Sequence, residues 1–183
     1  MKASPQGAGG RGRRAELIRA AYERIATGGF EGLRTRDVAA DVGVNVATLH
    51  YHFPTKEALV RAVVGYALSR FVSTLAGEGT PWEQLRAHLQ GIRRLIREEP
   101  QLPAVMSELA MRANRDPALA ELMNGADQAW HAWLTGLLAG DPAAAGKATV
   151  VMSTLRGLFV VPSTGQPERV DQALTALEAM LGT

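Results

Sequence analysis

The stretch from Thr35 to Phe53, TRDVAADVGVNVATLHYHF, leaves the chain few possible folds, because it packs two short helical patterns around a single glycine. Thr35 offers a hydroxyl to the free amides of a helix start, Val38, Ala39 and Val42 recur at helical spacing, and Gly43 suits a left-handed helix stop. Asn45 can cap a second helix running from Val46 to about Phe53, so the two are held as a tight angled pair. On that second helix Val46, Leu49 and Phe53 form the inward stripe. Ala47, Thr48, His50, Tyr51 and His52 then face outward. A purely structural helix would show Lys, Glu and Gln to water, whereas hydroxyls, imidazoles and a phenol can bond phosphates and base edges in a major groove. The pattern points to a DNA-reading helix-turn-helix, with a surface helix of odd composition as the bland alternative.

The rest of the chain reads as helices separated by Gly and Pro. Leu17, Ile18, Ala21 and Ile25 mark a helix from about Arg13 to Thr27, stopped by Gly28 and Gly29, with Phe30 and Leu33 as apolar plugs of a short loop. Pro54 ends the groove-facing helix, and Thr55 can cap a long helix to about Leu75 with Glu57 in its first turn. Further apolar stripes run from Trp82 to Ile96, from Leu102 to Ala113, and from Leu119 to Leu137 behind an Asp116 cap and Pro117. Two last helices, about 142–161 and 167–181, are joined by the turn-like PSTGQP. Alternating strand patterns and fixed-period repeats are absent. The expected fold is all-α, with about nine helices: an N-terminal three-helix DNA-binding head and a C-terminal ligand-binding and dimerisation bundle.

Charge places the contact with nucleic acid. Residues 1–61 carry ten Lys/Arg against six Asp/Glu, while residues 62–183 carry ten against twelve. The excess lies in Lys2, Arg11, Arg13 and Arg14, so the basic element is an arm able to reach phosphates or a minor groove. Residues 1–12 read as that disordered arm, 13–56 as the DNA-binding domain and 57–183 as the ligand-binding and dimerisation domain. With 46% hydrophobic and 21% charged residues the chain is globular. It has no apolar run of about 18 residues and no signal-peptide core, so a cytoplasmic protein without membrane association is expected. Zero cysteines exclude disulfides, thiolate zinc sites and cysteine nucleophiles.

One N-terminal helix, a helix-turn-helix ending in an aromatic-rich helix, and then Phe53, Thr55, Lys56, Glu57 and Leu59 opening a long helix together resemble the TetR family of bacterial transcriptional regulators. Phe30, Gly32, Thr35, Asp37, Val38, Ala39, Gly43, Val44, Thr48, Leu49, Tyr51 and His52 complete the likeness, which covers about Arg13 to Leu59. The resemblance implies a homodimer through about 142–161 and 167–181, a small-molecule pocket in the body, and a palindromic double-stranded operator released when the ligand shifts the connecting helix. Repression is the family's usual mode. By motif position, Thr35 and Arg36 meet phosphate, Asn45, Val46, Ala47, Thr48, His50, Tyr51 and His52 approach the groove, and Lys56 clamps a backbone phosphate with its helix N-terminus. His50 stands where the family commonly has Tyr, which makes that contact shorter and titratable.

In the body, Phe71, His88, Met106, Leu109, Met123, Trp130, Trp133, Met152, Arg156 and Phe159 are the candidate ligand contacts. Aromatics and methionines in helical stripes serve as core at least as often as pocket wall, so both roles stay open for Trp130 and Trp133. His88 and His131 lack metal-ligand spacing. Arg93, Arg94 and Arg97 read as a solvated cluster near a helix end. Arg156 interrupts an apolar run, and therefore calls for an acidic partner or an anionic ligand group. No Walker loop, Gly-x-Ser-x-Gly, zinc motif or close carboxylate pair supports an enzyme or a cofactor. The alternative to a ligand-responsive regulator is a DNA-binding protein that is architectural or controlled by a protein partner. If Lys56 holds a phosphate, Lys56→Ala should lower the salt slope of DNA binding by about one unit per contact per subunit; an unchanged slope removes it from the contact set.

Overall fold

The computed structural model describes residues 6–75, 77–160 and 167–182. Among them are nine helices and no strand: α1 (Gln6–Gly32), α2 (Thr35–Asp41), α3 (Val46–His52), α4 (Lys56–Val72), α5 (Pro81–Glu98), α6 (Gln101–Ala113), α7 (Pro117–Leu137), α8 (Ala144–Val160) and α9 (Pro167–Leu181). The chain divides into two compact units, Met1–Tyr66 and Ala67–Thr183.

In the first unit α1, α2, α3 and the start of α4 bury Leu17, Ala21, Ile25, Leu33, Val38, Leu49, Phe53, Leu59 and Val63 together. Tyr22 meets Tyr66 edge-on at 5.2 Å. Arg24 of α1 grips Asp41 with two hydrogen bonds of 2.6 and 2.8 Å and lies 3.5 Å from Asp37, so α1 is tied to both ends of α2. That grip holds the Asp41 carboxyl below the usual carboxylate range and raises Arg24. Gly43 has φ +69°, the left-handed conformation that lets the chain leave α2, and its neighbour Val44 donates to the Ala39 carbonyl at 2.9 Å. Asn45 Oδ1 accepts from the Thr48 amide at 2.8 Å and from the Thr48 hydroxyl at 2.9 Å, as the cap of α3 requires.

Several local expectations are corrected. The Gly28–Gly29 stop is a kink: Gly29 has φ 60°, and helical structure resumes to Gly32. Residues 1–5 lie outside the described residues, and α1 already begins at Gln6, so the second half of the expected disordered arm is helical. Extending an existing helix by a turn is far cheaper than nucleating one. Thr35 does not cap α2. Arg34 holds the cap position without a side-chain bond, and Asp37 supplies the favourable charge in the first turn. The PSTGQP turn falls on residues outside the described ones, apart from the first residue of α9.

The second unit packs α6, α7 and α8 on one another, with α5 against α7 and α9. Helix α5 begins with a reciprocal cap between Thr80 and Glu83, and α7 with Asp116 accepting from the Leu119 amide at 3.2 Å. Buried Leu85, Leu89, Ile92 and Ile96 face inward from α5. Two of the three arginines expected to be solvated instead lace α5 to α9: Arg93 reaches Asp171 at 3.2 Å and Glu178 at 4.0 Å, and Arg97 pairs with Asp171, while Arg94 is exposed as expected. Linear spacing showed the cations on α5 but not the acids that α9 brings opposite them. At Gly91 a Cβ would stand 2.8 Å from Thr74, so only glycine admits this approach of the segment after α4. Among the described residues no helix is long and apolar enough to cross a membrane.

Gly43→Ala should destabilise the protein by about 1 kcal/mol in urea unfolding, since alanine pays for φ +69° with no new contact. A neutral substitution would mean the turn relaxes to another conformation.

Candidate nucleic-acid interface and effector pocket

On α3 the inward side chains Leu49 and the adjoining Phe53 are buried, whereas Tyr51 is 84% exposed, the most exposed large apolar-bodied residue described. Ala47 and His50 are also exposed, and Val46, Thr48 and His52 are half-buried. Tyr51 packs edge-on to His52 at 5.2 Å, so the two rings stand as one feature. Thr48 and Asn45 are joined through the cap, which orients both at the start of α3. Arg36 is exposed on α2 and Thr35 half-buried beside it; Lys56 opens α4 behind Thr55, whose hydroxyl accepts from the Ala58 amide at 3.1 Å. These groups are donors or amphipathic rings, the kit for holding phosphates and reading base edges.

Two cations of the basic N-terminal stretch make contacts within the first unit. Arg13 pairs with Glu16 at 2.6 Å, and the Arg14 guanidinium lies 4.8 Å over the Phe53 ring. Both cations support the first unit itself. Arg34, exposed at the cap of α2, is a cation that the sequence reading passed over although it directly precedes Thr35 and Arg36.

The second unit holds a cavity of about 540 Å³ between α4, α6, α7 and α8. Of the expected ligand contacts, Phe71, Met106, Met123, Trp130, Arg156 and Phe159 line it. Leu109 and Met152 do not: both are buried in the core. Trp133 also stays off the wall and packs edge-on to His88 at 5.1 Å. Leu68, Val72, Leu75 and Asp127 complete much of the wall and were missed. Asp127 could have been found: it sits one turn before Trp130 on α7, and Arg156 needed an acid. The two do form an ion pair across α7 and α8.

His88 is fully buried behind this wall rather than in it. The Thr74 hydroxyl donates to the Phe71 carbonyl at 2.7 Å, so its oxygen is left to accept from His88 Nδ1–H at 2.8 Å. Bare Nε2 then accepts from the Trp130 indole N–H at 3.1 Å. One proton thus settles the tautomer, and the chain fixes the plane of the cavity-lining indole. Burial drives the His88 pKa down to about 4, only partly opposed by the bond to Thr74. His131 bonds the Ala145 carbonyl and Thr149, both at 3.2 Å, and so joins α7 to α8. No group of three or more metal-ligating side chains occurs among the described residues.

Comparison with known proteins agrees with this arrangement. Residues 17–63 match the family model for bacterial regulatory proteins of the tetR family. A nucleoid occlusion factor, SlmA of Yersinia enterocolitica, is 28% identical over 111 residues, spanning 58% of this chain and 56% of that protein. The chain therefore spans about half the length of the curated relatives it matches. A transcriptional regulator from Rhodococcus sp. Rha1 superposes with a TM-score of 0.80 at 25% identity, covering 92% of this chain and 95% of that one. A regulator from Saccharomonospora viridis, solved in complex with choline, gives 0.75 at 24% identity, with 94% and 96% covered. Residues 17–63 are thus similar to the DNA-binding segment of bacterial regulatory proteins of the tetR family, and the described fold is that of solved transcriptional regulators.

Because the unfolded chain takes up a proton near pH 6.5 that buried His88 refuses until about pH 4, stability should fall as pH drops through that window. By about pH 4.5 the wild type should have lost roughly 2–3 kcal/mol more in urea unfolding than His88→Gln, whose amide can keep both bonds without titrating. Parallel profiles would show that His88 titrates like a free imidazole.

Proposed function

We propose that the protein is a homodimeric repressor that leaves a palindromic operator when a small, mainly hydrophobic effector enters the body. The observation that carries this reading is the cavity: about 540 Å³ lined by Leu68, Phe71, Val72, Met106, Met123 and Phe159 is a concave, mainly apolar space of the size that takes a drug-sized molecule. The operator contacts are Thr35, Arg36, Asn45, Val46, Ala47, Thr48, His50, Tyr51, His52 and Lys56, with Tyr51 as the central reader because it is the most available of them. Dimerisation runs through α8 and α9. Val150 on α8 is 47% exposed and Met180 on α9 65%, apolar surface that a partner helix would cover. Such a regulator works in the cytoplasm. The choline complex of a regulator with this fold supports a small-molecule effector.

The second reading, a DNA-binding protein that is architectural or controlled by a protein partner, draws support from the likeness to a nucleoid occlusion factor. The cavity weighs against it, since partner control needs no internal space.

Selection of bound duplexes from a random library by the purified protein should recover a two-fold symmetric site, and Tyr51→Ala protein should enrich none. A compound screen scored by release of that duplex should then yield an effector. Recovery of a site that no cavity-binding compound releases would favour partner control. Equal enrichment by Tyr51→Ala would overturn the assignment of the reading face.

A further inference from the structure

We propose that the effector is a lipophilic organic cation, held by the Asp127 carboxylate and the ring faces of Phe71, Trp130 and Phe159 once Arg156 has swung away from Asp127. This rests on the cavity being the effector site and adds the sign of the effector's charge. Asp127 lies one turn before Trp130 on α7, and Arg156 one turn before Phe159 on α8; all four line the cavity. The ion pair therefore sits beside an aromatic cluster in which Phe71 is 4.9 Å from Phe159 and 6.4 Å from Trp130 between ring centres. Ring faces carry negative potential and attract cations. The Trp130 N–H, the one ring donor that could serve an anion, is committed to His88.

The pair looks neutral, but its members differ in freedom. Among the described residues lining the cavity, Asp127 and Arg156 are the only charged ones; the remaining polar lining is Ser107, Asn114 and Asn124. Arg156 is half exposed and carries a long, weakly hydrated guanidinium that can move into water. The Asp127 side chain is 40% exposed but short, and from the middle of α7 it has less reach into solvent than Arg156. An incoming anion would gain Arg156 yet remain beside the Asp127 carboxylate and the electron-rich aromatic cluster. An incoming cation replaces Arg156 with itself.

Tetraphenylphosphonium and tetraphenylborate, alike in shape and opposite in charge, separate these cases by calorimetry on the full-length protein, with uncharged N-phenyl-1-naphthylamine reporting whether the cavity admits an apolar molecule at all. The phosphonium should bind roughly tenfold or more tightly than the borate. Asp127→Asn should erase that preference while leaving the naphthylamine bound. Arg156→Leu should tighten the phosphonium by roughly threefold or more, because no ion pair has to open first; a purely structural role for the pair would give no tightening. Equal or reversed preference with the naphthylamine bound would overturn the cationic class and leave the cavity reading standing. Failure of the naphthylamine to bind would bring down both.

Discussion

The second unit depends on a part-buried polar chain that ends on the backbone: indole to imidazole, imidazole to hydroxyl, hydroxyl to backbone carbonyl. Each link spends the single proton or lone pair the next one needs, so the interior gains three hydrogen bonds without an unmatched group. The consequence is positional. Trp130 on α7, His88 on α5 and the turn that ends α4 share one geometry, and the cavity wall made by Phe71 and Trp130 takes its shape from it. Gly91 is part of the same constraint, because any larger residue would push Thr74 off the histidine.

Charge follows a similar economy in both units. Arg24 holds α2, Arg14 covers Phe53, and Arg93 and Arg97 bind α9. Arg14, which the sequence offers to phosphates, is occupied against Phe53, and Arg93 and Arg97, which it offers to solvent, are occupied by acids of α9. On the first unit Arg34 and Arg36 are exposed and Lys56 opens α4, and in the proposed interface these would meet the DNA backbone while the hydroxyl, imidazole and phenol groups of α3 meet base edges. Such a face gains its selectivity from base edges more than from bulk attraction. Arg156 is the corresponding case in the body: its charge is answered by Asp127, and among the described lining residues the pair is the charged corner of a mainly apolar space.

Much of the fold was legible because helices carry their own signals. The Gly43 stop, the Asn45 cap, the Asp116 cap with Pro117, and the stripes of α5 and α7 depend on residues within a turn or two of each other. The expected loss of helix at Gly28 and Gly29 failed because two glycines permit a kink as readily as an end. The Thr35 cap failed for a related reason: a capping side chain names a possibility, and the backbone angles of Arg34 decide it. In the body, sequence spacing gave the correct stripe of large side chains but could not divide it into wall and core. Met123 and Met152 are alike in sequence and lie on opposite sides of that division.

By itself, then, the sequence determined the number and order of the helices, the turn between α2 and α3, and the chemistry of the outward face of α3, since each follows from local periodicity and backbone preference. Only the tertiary structure decided which aromatic residues border empty space, that His88 supports Trp130 from behind, and that Asp127 answers Arg156. Those are relations between helices far apart in the chain, set by the angles at which they pack, and no local signal encodes an interhelical distance.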